Sequence, residues 1–175
     1  MASSVKLISP DTKYNIAVFG DSGVGKSTYI NRILTGNFTP YFIPSVGMIR
    51  HHYEHLMPNN SRFICNLIDT DGATRPYHVK YDGLNAAIIM FDVSSLESYY
   101  NVETWYDVVR KEHPDIPIMI VGNKVDISKE DRRVRMDDIK FHRAHNLAYC
   151  EVSAKSQYKL WKPIEIIATK VSSII

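Results

Sequence analysis

Gly20-Asp21-Ser22-Gly23-Val24-Gly25-Lys26-Ser27 is a complete phosphate-binding loop, and its flanks decide the fold. The apolar run Ile16, Ala17, Val18, Phe19 enters it as a strand, and a helix-patterned stretch from Ser27 to Thr35, closed by Gly36, leaves it. The chemistry needs that arrangement. Backbone N–H groups wrap a phosphate, small residues permit close approach, and the helix N-terminus adds partial positive charge. Ser22, Gly23, Val24, Gly25, Lys26, Ser27 and Thr28 are the candidate phosphate contacts. Lys26 is expected to neutralise β- and γ-phosphate oxygens, and the Ser27 hydroxyl to ligate Mg²⁺. The loop alone points to a nucleoside triphosphate and leaves the base open.

A second apolar strand, Ile116 to Val121, runs into Gly122-Asn123-Lys124-Val125-Asp126. A carboxylate beside the base edge accepts from guanine N1–H and its exocyclic amine. Adenine offers neither donor and leaves that carboxylate unpaired, at a cost of about 1–3 kcal/mol or more. Asp126 is the candidate for this role, Asn123 for holding loop and base, and the Lys124 stem for covering the ring. The strand Leu147 to Val152 then delivers Ser153-Ala154-Lys155, whose backbone is placed to close over the guanine O6. A further strand, Phe63 to Ile68, ends in Asp69-Thr70-Asp71-Gly72. Asp69 is expected to approach Mg²⁺ through water and the Gly72 N–H to meet the γ-phosphate.

The chain has 175 residues, enough for one domain over 1–175 that buries about two-thirds of its unfolded surface. A net charge of +2, 45% hydrophobic and 23% charged residues belong to an ordinary globular protein and argue for neither nucleic acid nor membrane. Cys65 and Cys150 lie in apolar strand candidates and read as reduced core thiols, in keeping with a cytoplasmic or nuclear compartment. No signal peptide, long apolar segment or repeat is evident. Ala2 excludes N-myristoylation, and the closing Val171-Ser172-Ser173-Ile174-Ile175 offers no terminal cysteine to prenylate, so no membrane anchor is expected and a monomer is.

The spacing predicts strands at 14–20, 47–56, 62–69, 85–92, 116–122 and 147–152, and helices at 26–35, 95–111, 137–145 and 158–172. Pro58-Asn59-Asn60 predicts an antiparallel hairpin of the second and third strands. Ser94 with Glu97 reads as a capping box. Pro163 falls in the first turn of the last helix, where it is tolerated. The fold class is therefore α/β: a doubly wound, mostly parallel six-stranded sheet with helices on both faces and ligand loops at the strands' carboxyl ends.

With these motifs in place, the chain resembles the Ras-superfamily small GTPases over nearly its full length, and within them most resembles the Ran family. Ala87-Ile88-Ile89-Met90-Phe91-Asp92-Val93-Ser94, Gly122-Asn123-Lys124-Val125-Asp126-Ile127, Phe141-His142-Arg143, Ser153-Ala154-Lys155-Ser156 and Lys162-Pro163 carry that likeness. The phosphate loop is more similar to the Rab family. The resemblance implies a P-loop small G domain, a Mg²⁺-dependent GDP/GTP switch, and a task in nucleocytoplasmic transport or its mimicry. It also implies an exchange factor, an activating protein and receptors of the importin and exportin type as partners. By resemblance, switch I runs from Phe38 to Gly47; Phe38 packs edge-on to guanine, and Ser45 takes the place of the Mg²⁺-ligating threonine. Ser45 also reads as a plain loop residue after Pro44.

The departures bear on catalysis. The family pattern Asp-Thr-Ala-Gly-Gln stands here as Asp69-Thr70-Asp71-Gly72-Ala73, and the stretch to the next strand is shortened. In such enzymes the glutamine orients the attacking water. Ala73 cannot, and no catalytic residue is retained at that position. Asp71 adds a negative charge near the γ-phosphate, which disfavours GTP unless its side chain turns outward. Arg132, Arg133 and Arg135 survive as a basic run, but Asp137 and Asp138 follow, so a receptor surface and a solvated charged loop both fit. His51-His52-Tyr53-Glu54-His55 reads as a surface strand rather than a zinc site, since His52 faces away from His51 and His55. Tyr99, Tyr100 and Trp105 read as packing and surface aromatics. Three functions fit: a cycling GTPase switch, a hydrolysis-deficient relative that competes with Ran-type proteins, and a nucleotide-binding scaffold. A Rab-like trafficking switch is the further alternative.

Overall fold

The apolar runs at 86–92 and 118–123 are buried at every position, as strands covered on both faces must be. They sit inside a six-stranded sheet in a computed structural model that describes residues 13–40, 47–72 and 82–173. The strands are β1 (Lys13–Phe19), β2 (Ile49–Leu56), β3 (Arg62–Asp69), β4 (Ala86–Asp92), β5 (Ile118–Asn123) and β6 (Ala148–Glu151). Their order is β2-β3-β1-β4-β5-β6, with every pair parallel except the hairpin of β2 with β3. The hairpin runs from Ile49 opposite Asp69 to Leu56 opposite Arg62. Asn60 closes it in the left-handed conformation (φ 62), where Asn is tolerated.

The helices are α1 (Lys26–Thr35), α2 (Leu96–Glu112), α3 (Phe141–Ala144) and α4 (Lys162–Ser172). Alternation along β1 sends Ile16 and Val18 to one face, where Tyr29, Ile30, Ile164 and Ile167 of α1 and α4 cover them. Ala17 and Phe19 go to the other, under Val102, Trp105 and Val109 of α2. No helix among the described residues is long and apolar enough to cross a membrane. Both cysteines are free thiols, Cys65 buried and Cys150 half-buried, and burial pushes each up to about 12.

Three local expectations need correction. The α2 cap is Ser95, whose hydroxyl accepts from Ser98 N (3.2 Å). Ser94 cannot serve because the Asp92 carboxylate takes both its N–H (2.8 Å) and its hydroxyl (2.6 Å). The stretch 137–145 is not one helix but a 3-10 turn (Met136–Asp138) and the single turn of α3. Tyr99 breaks it: its hydroxyl donates to Asp138 O (3.2 Å) and accepts from Lys140 N (2.9 Å), occupying groups a helix would use. The last helix starts at Lys162 rather than 158, because Gln157 (φ 64) and Lys159 (φ 49) are left-handed; Pro163 then lies in its first turn as expected.

Tyr99→Phe removes the hydroxyl that bridges Asp138 and Lys140 and hands both exposed backbone groups to water. Urea denaturation is expected to show a loss of about 0.5–1 kcal/mol. Hydrogen exchange at the Lys140 amide is expected to accelerate beyond the global change; unchanged protection there would show that Tyr99 does not hold this turn.

Candidate functional site

Strand order sets the site. β1 lies between β3 and β4 and the chain leaves it in both directions, so the loops following β1, β3, β5 and β6 gather at one end of the sheet. The loop of residues 20–27 turns from β1 into α1, whose first turn holds no acidic residue, so its free amides and positive dipole end face an incoming anion. Lys26 is buried at the loop's centre. Its Nζ donates to Gly20 O (2.8 Å) and Asp21 O (3.0 Å), bracing the first arm of the loop. Burial lowers its pKa to about 8, while Asp69, Asp21 and Asp71 pull it back upward. Ser22 and Gly23 are exposed, Val24 is buried, and Ser27 and Thr28 are half-buried on α1.

From β3, Asp69 arrives buried, and Thr70 Oγ1 donates to Val18 O (2.8 Å), fixing the strand's exit against β1. Gly72 then runs against the loop: a Cβ there would collide with the backbone of Asp21 and Ser22. Glycine is required by this approach. Ser45 and Ala73 lie outside the described residues.

The residues expected to read the base share one cleft of about 250 Å³ with the phosphate loop, walled by Thr28, Phe38, Asn123, Lys124, Asp126 and Lys155. Asn123 is 1% exposed and ties three loops together. Its Nδ2 donates to Val24 O (2.9 Å) and its Oδ1 accepts from Ala154 N (3.4 Å). Gly25, at φ 99, leaves space for that amide, since a Cβ would strike Asn123 Nδ2. Lys124, itself left-handed at φ 68, donates to Gly23 O (2.8 Å) and pairs with Asp92 Oδ2 (2.6 Å), which lays its stem along the cleft. Asp126 Oδ1 accepts from Ser153 Oγ (2.6 Å), and its Oδ2 lies 3.8 Å from Lys155 Nζ. The carboxylate is thereby oriented from one side, with acceptor capacity toward the cleft.

Sequence reasoning missed Asp92, Asn101 and Trp105. Asp92 ends β4 as the other carboxylates end their strands, and that placement was the available signal. Asn101 and Trp105 reach Asp21 from α2, across a separation no local pattern reveals. Trp105 is thus a packing aromatic with a second role. Arg132 is not a solvated charge, since it pairs with Glu151 and its Nε donates to Val134 O (2.7 Å), whereas Arg133 and Arg135 are exposed. Among the described residues no three His, Cys, Asp or Glu side chains form a metal cluster. His55 instead bonds Tyr53 OH (3.1 Å) and faces Glu165.

The depressed Lys26 pKa gives a signed pH effect. A phosphate favours the charged ammonium, which the free protein loses as pH rises through about 8. Affinity for a nucleoside diphosphate is therefore expected to hold at neutral pH and to fall by up to about tenfold per pH unit above that point. Titration calorimetry across that range checks it; a flat profile would mean that Lys26 stays charged throughout it or does not touch phosphate.

A family model described as the Ras family matches residues 15–173, which takes in every loop of the cleft. On this match the chain belongs to the Ras family and is a GTP-binding small GTPase.

Proposed function

We propose that this chain is a Ran-like, Mg²⁺-dependent guanine-nucleotide switch with impaired hydrolysis. The observation that carries the nucleotide part is the Asn123 amide, which bridges Val24 O and Ala154 N and so joins phosphate loop and base pocket in one cleft. Asp126, fixed by Ser153, is the group that reads guanine through its N–H donors. Lys26 and the α1 N-terminus hold the phosphates.

The donors fit a magnesium ion. Ser27 offers a hydroxyl on α1 and Asp69 a buried carboxylate at the end of β3, both hard oxygens. With no dense carboxylate cluster among the described residues, such an ion takes most of its remaining ligands from phosphate and water, as Mg²⁺ commonly does. When bound, it neutralises charge on the β- and γ-phosphates. On the resemblance, Ser45 is the second direct protein ligand, and Asp69 reaches the ion through water.

Ala73 supports weak hydrolysis, because a methyl group cannot orient water. Asp71 supports weaker GTP binding, because its negative charge is felt at Lys26, the lysine that would meet the phosphates. The exposed Arg133 and Arg135 keep a basic face for importin- and exportin-type receptors, weaker than in Ran-family proteins because Asp137 and Asp138 follow. A competitor for such receptors in the cytoplasm or nucleus is the form of the function that needs no turnover.

Two measurements test this reading. Wild-type protein is expected to bind GDP far more tightly than ADP, and Asp126→Asn to lose GDP while gaining xanthosine diphosphate, whose 2-oxo group accepts from the new amide. Equal affinity for ADP would sink guanine specificity. Single-turnover hydrolysis is expected to fall below the intrinsic rate of Ras, on the order of 10⁻⁴ s⁻¹, with Ala73→Gln restoring only part of it. Robust unaided turnover would mean another residue positions the water.

A further inference from the structure

Asp21 is an acidic residue inside an anion-binding loop. A diphosphate bound there brings like charge close to it, and in a partly desolvated site that repulsion is large unless the carboxylate is directed elsewhere. Both of its oxygens are in fact engaged by α2. Trp105 Nε1 donates to Oδ1 at 2.8 Å, and Asn101 Nδ2 donates to Oδ2 at 2.8 Å. The two donors stand four residues apart, on one helix face. Trp105 is 4% exposed and packs on Phe19, the last residue of β1, with ring centroids 6.2 Å apart. Its indole position is therefore set by the core. Meanwhile the Asp21 backbone carbonyl accepts from Lys26 Nζ (3.0 Å), and its backbone carbon lies against Gly72. One residue thus meets α2, the phosphate-binding lysine and the segment after β3.

We infer that Asp21 is a positioning residue: Asn101 and Trp105 hold its carboxylate on α2, and that restraint sets how long the loop retains a nucleotide. The inference rests on the nucleotide-binding reading above. Indole is a donor only and an ionised carboxylate an acceptor only, so the Trp105 bond cannot be inverted. Hydrogen bonds to an ionised group are the stronger kind, which suits them to holding a charge against the pull of the Lys26 ammonium. Released from α2, the Asp21 side chain competes with phosphate for that ammonium. Helix α2 becomes a lever on nucleotide exchange although it supplies no group to the cleft.

The test follows release of a fluorescently labelled GDP from the full chain, chased with excess GDP and Mg²⁺. Asn101→Ala is expected to accelerate release several-fold, and the N101A/W105F pair about tenfold, the scale of losing charge-assisted hydrogen bonds. Adding D21N to either is expected to bring release back toward the wild-type rate, because the unrestrained charge is gone. A merely structural role predicts the opposite, with D21N adding to the loss. Rates unchanged in N101A and in the pair, or D21N worsening them, would overturn the inference while leaving guanine binding intact. If circular dichroism shows that the Trp105 variant does not fold, N101A against N101A/D21N carries the same comparison. Wild-type protein that keeps no labelled GDP would overturn the nucleotide reading and this inference with it.

Discussion

The buried Asn123 amide is the contact on which the rest of the cleft depends. Its nitrogen bonds a carbonyl of the phosphate loop and its oxygen an amide of the loop after β6, so segments some thirty and a hundred residues away share one side chain. A buried amide deprived of its partners costs about 1–3 kcal/mol for each group left unpaired. Both bonds therefore tend to be kept or lost together with the shape of the cleft. Parallel strands make this economical, because β1, β5 and β6 end on the same side and a short polar side chain can span their exits. Lys124 reinforces the tie by bonding Gly23 O and Asp92 at once.

Charge balance is the second constraint. Lys26 loses hydration on burial, and three carboxylates partly restore the preference for its charged form. Those carboxylates compete with any phosphate for the same ammonium, so each needs a reason to stay aside. Asp69 is buried at the end of β3, and Asp21 is held by Asn101 and Trp105. The site is receptive to anions to the degree that its own anions are held in place.

The sheet and its ligand loops were legible because their signals are local. Ala86 to Asp92 and Ile118 to Asn123 are apolar throughout, and each phosphate or base motif is contiguous and follows a strand. Phe38, read by alignment with a family pattern, does line the cleft. What escaped is long-range. Nothing near 137–145 announces that Tyr99 will take its backbone groups, and nothing near Ser94 announces that Asp92 will claim its hydroxyl and move the cap by one residue. A single paired Arg132 in a run of arginines likewise depends on Glu151, a partner at the end of β6.

The contact between Gly72 and the loop leaves no space for a side chain at that position. Gly72 lies against the backbone of Asp21 and Ser22, so any side chain at position 72 would have to move the loop. Asp71 precedes that contact and still exerts its charge on Lys26, though less than Asp69 or Asp21 does. An anion drawn to Lys26 meets this negative charge as well as the ammonium, and the two act in opposite senses. The close approach that only glycine permits at position 72 therefore also bears on how near the neighbouring charge of Asp71 comes to Lys26.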